Sequence, residues 1–147
     1  MTEKASESVV DLSRFEDLIQ SQEDGIDFEL LDEMGRPIGL TLTMVGPDSK
    51  RARKAMKEVA AEFAARAEDR GSLAPAEDDE DERMASYLSK VTTGWAPNPA
   101  IGGKSVPFTE ENARNFFIRF RMFTEQAQAR AVRRAPFVKS SSYASAG

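Results

Sequence analysis

The chain has no cysteine and no histidine in its 147 residues. Disulfides, thiol chemistry and Cys/His zinc sites are therefore excluded, and the commonest general base is missing as well. An enzyme would have to run on carboxylates or lysines, so the expectation is a non-enzymatic protein without cofactor or metal. No apolar run approaches the roughly 20 residues of a membrane-spanning helix. Met1 to Ser8 is polar and lacks the apolar stretch of a secretory signal, which makes the cytoplasm of the producing cell the expected location. Hydrophobic residues make up 40% and charged residues 31%. That balance is slightly apolar-poor, and it predicts a modest core accompanied by less ordered segments.

What the chain does have is an uneven charge. The net value is -5, yet the segment from Lys104 to Gly147 carries eight bases against three acids. The front of the chain is therefore strongly acidic and its rear basic. Such halves attract each other or a neighbouring copy, which allows self-association. Ordinary solvated helix faces account for the same pattern.

Hydrophobic periodicity predicts an α+β fold, mostly α. Residues 1–25 read as a flexible N-terminus with a short helix over Val9 to Gln20, where Leu12, Phe15, Leu18 and Ile19 recur every three to four positions. Residues 26–71 read as a β-hairpin plus an amphipathic helix. Leu40, Leu42 and Met44 alternate with Thr41, Thr43 and Val45, the period of a half-buried strand, and Gly35 and Pro37 mark the turn. Asp48 or Ser49 caps the helix that follows. Its stripe runs through Ala52, Ala55, Met56, Val59, Ala60, Phe63, Ala64 and Ala67, and Gly71 is the expected C-cap. Residues 72–82 include the run Glu77 to Glu82 and read as an acidic linker. Residues 83–137 read as a helical lobe. Within it, Trp95 to Pro107 is expected to be irregular and Thr109 to cap a Phe-rich helix with a break near Arg119–Thr124. That helix is expected to run to Pro136. Residues 138–147 are expected to be a disordered tail.

Three local patterns invite chemical readings. Gly102-Gly103-Lys104-Ser105 resembles part of a phosphate loop, but Asn98 stands where the first glycine belongs, and no helix opens at the lysine. The acidic run lacks the alternating oxygens, central glycine and closing glutamate of a calcium loop. Lys50, Arg51, Lys54 and Lys57 share overlapping helix faces and outline a phosphate-binding footprint, although the chain is acidic overall and nucleic acid is not the expected partner. The aromatic cluster weighs more. Burying one ring contributes roughly 1.5–3 kcal/mol, and a small helical lobe does not readily enclose all of these rings. Trp95, Phe108, Phe116, Phe117, Phe120 and Phe123 are therefore expected to form core plus a groove for another protein.

Three segments carry a resemblance. Phe28 to Gly39 (FELLDEMGRPIG) reads as a strand, a glycine turn, then proline and an apolar residue. Leu40 to Ser49 (LTLTMVGPDS) reads as a second strand closed by a Gly-x-Asp-Ser helix start. Val91 to Trp95 (VTTGW), followed by Val106 to Asn112 (VPFTEEN), reads as Gly-Trp, a loop, Pro-Phe-Thr and Asn. In order and spacing, over about residues 26–137, these resemble the tail assembly chaperones of long-tailed bacteriophages. The resemblance implies a non-enzymatic protein of the host bacterial cytoplasm that is absent from the mature virion. It implies binding to the tape measure protein, with the tail tube protein as a further partner. A small structural tail or connector subunit of the virion is the alternative reading. A nucleic-acid-binding regulator acting through Lys50–Lys57 is a third.

Overall fold

The computed structural model describes residues 9–71 and 79–139. Its element order is helix α1 (Ser13–Asp24), strands β1 (Ile26–Leu31) and β2 (Pro37–Met44), helices α2 (Lys50–Arg70) and α3 (Asp79–Val91), strand β3 (Thr92–Ala96), a short ribbon β4–β5 (Ala100–Ile101 and Lys104–Ser105), helices α4 (Glu110–Arg119) and α5 (Arg121–Ala131), and a 3-10 turn (Ala135–Phe137). The fold is α+β, with the hairpin near the N-terminus. The three-stranded antiparallel sheet runs β1-β2-β3.

The strand alternation predicts the sheet's inner face correctly. Phe28, Leu30, Leu40, Leu42 and Met44 are buried, and Asp27 on the outer face accepts a hydrogen bond from Thr43 Oγ1. Ser49 caps α2. Its hydroxyl accepts from the Ala52 amide at 3.1 Å and donates to the Gly46 carbonyl at 2.7 Å, which satisfies one orphan amide of the first turn. Gly71 closes α2 in the left-handed conformation, at φ 70°. Thr109 caps α4 by accepting from the Asn112 amide at 3.0 Å. The chain breaks at Phe120 between α4 and α5, inside the expected interval. The break lets Phe120 and Phe123 both turn toward Phe116.

Tertiary contacts correct several expectations. Asp79 to Glu82 belong to the first turn of α3 and not to a linker. Acids at a helix N-terminus are stabilised by the helix dipole, and here Asp79 pairs with Arg70 and Glu82 with Arg66. The remainder of the expected linker, residues 72–78, lies outside the described residues, as do residues 1–8 of the expected flexible N-terminus and residues 140–147 of the expected tail. Residues 83–137 do not form a separate helical lobe. Trp95 opens no irregular loop but sits in β3, which pairs with β2, with Leu42 opposite Trp95. One core cluster accordingly draws on both halves, joining Leu42, Met44, Ala52 and Ala55 to Leu88, Val91, Trp95 and Phe116. The last long helix ends at Ala131, and Pro136 falls within the 3-10 turn.

The first helix runs further than its apolar spacing suggests, through Ser21 and Gln22, both buried. Gln22 holds it there. Its side-chain amide donates to Asp48 at 2.9 Å and accepts from the Asp48 amide at 2.7 Å. Arg134 closes the same node with two bonds to Asp48, at 2.6 and 2.9 Å. The Arg134 guanidinium, aided by Gln22 against the effect of burial, holds the Asp48 carboxyl below its ordinary value. Gly46 makes the node possible, because a Cβ there would lie 2.6 Å from Gln22 Cβ. Gly46→Ala should cost about 1–3 kcal/mol through this overlap, read as a lower urea midpoint at unchanged m-value.

A second polar node ties three helices together. Glu62 on α2 receives Arg114 of α4 bidentately, at 2.6 and 3.2 Å, and Ser86 of α3 at 3.0 Å. Burial opposes the Glu62 charge. The bonds from Arg114 and Ser86 and the charges of Arg114 and Arg66 outweigh it, and the carboxyl is held below its ordinary value of 4.5. Glu62→Gln should destabilise the protein by about 1–2 kcal/mol at neutral pH, because the Arg114 guanidinium is left half-buried without its counter-charge. A depressed carboxyl contributes stability above its unfolded pKa and loses it as pH falls through the folded one. The difference between wild type and Glu62→Gln should therefore be full at pH 7 and shrink only below pH 4.5, measured by urea unfolding across a pH series.

Candidate protein-docking groove

The rings expected to receive a partner mostly receive one another. Trp95 meets Phe108 edge-on at 5.2 Å and Phe116 at 5.4 Å, and Phe116 stacks on Phe123 at 5.7 Å and touches Phe117 at 5.3 Å. Such edge-to-face and offset pairs add to the area each ring buries. The Trp95 indole N–H donates to the Val106 carbonyl at 3.3 Å. Trp95, Phe116 and Phe117 are buried core residues, whereas Phe108, Phe120 and Phe123 are half-buried against them. Of the six rings expected to form core plus a groove, three are thus enclosed as core, and Phe108, Phe120 and Phe123 keep part of their surface open. The sheet and α3 supply walls that a free-standing helical lobe would lack, so the cluster closes on itself.

The open apolar surface lies elsewhere, between α2 and α3. Ala52, Ala55, Val59 and Phe63 of α2 are buried against α3 and the core. Met56, one helical step round, is 58% exposed. With Val59, Met84, Tyr87, Pro47 and Val132 it lines an open cleft of about 400 Å³. A second cleft of about 500 Å³ continues along α2 past Ala60, Phe63, Ala64 and Ala67. The stripe from Met56 to Ala67 extends about 16 Å at 1.5 Å per residue. Its floor is flexible thioether, methyl and ring, a surface that adapts to varied apolar partners. Burial raises the Tyr87 phenol above its ordinary value.

One border of this groove is basic. Lys50, Arg53, Lys54 and Lys57 surround the exposed side of Met56, while Arg83 and Glu80 stand at the α3 side. The sequence singled out most of these residues: Met56 and Ala60 were read on the apolar stripe of α2, and the basic residues on overlapping helix faces as a phosphate-binding footprint. Both sets are exposed, so the stripe runs on past the core into the groove. Val132 carried no sequence signal, because its place depends on the chain turning back beside Pro47. The usable signal was the alanine stripe itself, which is wider than one neighbouring helix can cover.

The other sequence patterns resolve structurally. Gly102 and Gly103, both at positive φ, form the turn between β4 and β5, with Lys104 and Ser105 in the ribbon. Among the described residues no group of three or more Asp or Glu is placed to hold a metal ion, and no helix is long and apolar enough to cross a membrane. The groove's side chains are equipped for contact with another apolar surface framed by opposite charge. Comparisons with protein-family models, curated proteins and solved structures give no match for this chain.

The contrast between ring cluster and groove is measurable. Phe116→Ala should cost about 3–5 kcal/mol, whereas Met56→Glu should stay within about 0.5 kcal/mol of wild type, both from urea unfolding. A large loss for Met56→Glu would mean that the groove is closed core.

Proposed function

We propose that this chain is a bacteriophage tail assembly chaperone, a non-enzymatic carrier that holds a helical segment of the tape measure protein soluble until tail tube subunits assemble around it. The observation that carries the reading is the open, methionine-lined groove between α2 and α3. A helix laid in such a groove buries its apolar face and is released without covalent chemistry. The three resembling segments support the same reading. They fall on the β1–β2 hairpin, on β2 with the capped start of α2, and on β3 leading to the capped start of α4. The working place is the host bacterial cytoplasm, and the finished virion lacks the chain.

Co-expression with the tape measure protein tests this. The tape measure should move from the insoluble to the soluble fraction when the chain is present, and co-purify with it. Met56→Glu combined with Tyr87→Glu should abolish the effect while circular dichroism still reports a folded chain. Equal tape measure solubility with and without the chain overturns the proposal. Stoichiometric recovery of the chain in purified particles would favour the structural tail or connector reading instead.

A further inference from the structure

The bases beside the groove form a row of their own. Lys50, Arg53, Lys54 and Lys57 follow one another at spacings of three, one and three residues, which sets them on one face of α2 over about 10 Å. All four are exposed. Among the described residues Lys54 and Lys57 enter no ion pair, whereas Arg66, Arg70, Arg114 and Arg134 each hold a carboxylate. Asp48, which lies near Arg53, is already bonded to Arg134 and Gln22. The basic row then stops. Further along the same face come Ala61 and Ala64, then Glu68, and Glu80 stands at the α3 side. The groove is therefore bordered by free cations at its Met56 end and not at its Ala67 end.

Lysine and arginine lay their aliphatic stems over apolar surface while their charged heads stay in water. Around Met56 they make a hollow with apolar walls and a cationic rim. A polyanion such as duplex DNA would meet the rim but leave Met56, Met84 and Tyr87 uncovered, and the net charge of -5 repels it. Taking the groove as the client site, as proposed above, we infer that its client segment is an amphipathic helix with carboxylates lined up beside one end of its apolar stripe. The large apolar side chains of that helix fill the hollow over Met56, Met84 and Tyr87. Its aspartates or glutamates, spaced three and four residues apart, lie along the row from Lys50 to Lys57. Over Ala60, Ala64 and Ala67 the methyl floor lets the client backbone come close, and no acid is needed there. Charges at the rim of an interface act mainly on encounter and on choice of partner. Here they select which stretch of a long helical client is held, and in which direction it lies.

Synthetic helical peptides with a common Leu/Ala stripe test this. The first carries four glutamates in a row beside one end of the stripe. The second has lysines at those positions, and the third has its glutamates on the face opposite the stripe. Fluorescence anisotropy with the full chain should show the first binding at least roughly tenfold more tightly than the other two, with the margin shrinking as salt is added. Lys54→Glu with Lys57→Glu should invert the order, so that the lysine peptide binds better than the first glutamate peptide. That gain also rules out misfolding as the cause of the loss. Equal affinity for the glutamate and lysine peptides, or no peptide binding, overturns the inference. So does duplex DNA that binds wild type as tightly as the first peptide does and is lost in the variant. The tape measure solubility assay on the same variant separates this chemistry from the carrier reading. A tape measure held soluble equally by wild type and variant overturns the inference and leaves the carrier standing. Peptide discrimination by a chain that does not change tape measure solubility supports the inference and overturns the carrier.

Discussion

Helix α3 is enclosed by α2, α4 and α5, and its chain passes from Val91 straight into β3 with no loop between them. Everything else is arranged around that junction. Ala85, Ser86 and Ser89 are small and buried, which lets neighbouring helices approach closely. Leu88 and Val91 fill the space toward the sheet. The Val91 carbonyl accepts from the Val45 amide at 3.0 Å, so the end of the helix and the end of β2 are locked together. A rigid helix that continues as a strand cannot shift without carrying the sheet with it. For that reason the halves on either side of residues 72–78 share one core.

The same constraint explains the placement of the polar nodes. Glu62, Ser86 and Arg114 meet where α2, α3 and α4 converge, a site too polar to fill with rings and too enclosed to leave to water alone. Asp48, Gln22 and Arg134 meet where α1, the start of α2 and the C-terminal turn converge. A third device guards the sheet edge. The Gln126 side-chain amide donates to the Leu31 carbonyl at 2.9 Å and accepts from the Leu31 amide at 2.8 Å, standing in for a further strand at the exposed end of β1. Each node joins elements that are far apart in sequence.

The groove follows from a mismatch in coverage. Helix α2 has 21 residues and an apolar stripe wider than one contact face. Helix α3 covers the inner part of that stripe, and no described element lies over the outer part. The remainder of Met56, Ala60, Ala64 and Ala67 is left as an apolar strip beside a row of bases. Helix α1 presents the converse, because its anchoring uses Gln22 and Ser21 while Phe15 and Ile19 are left exposed. In both helices the hydrophobic periodicity is real, but the face that is buried is not simply the most apolar one.

Local chemistry was legible from the residues alone. The period-two run at Leu40–Met44, the caps at Ser49 and Thr109, the left-handed Gly71 and the break near Phe120 are all decided by neighbours within a few positions, where steric and capping preferences act. The rest was decided by partners distant in sequence. Trp95 was readable as a buried ring but not as a strand residue opposite Leu42, since pairing depends on the partner strand. Asp79–Glu82 looked like a repelling linker until Arg66 and Arg70 were brought alongside them. Whether an apolar side chain ends in the core or on a groove floor depends on how many neighbours arrive to cover it. Periodicity names the face of a helix, and only the packed chain sets how much of that face is taken.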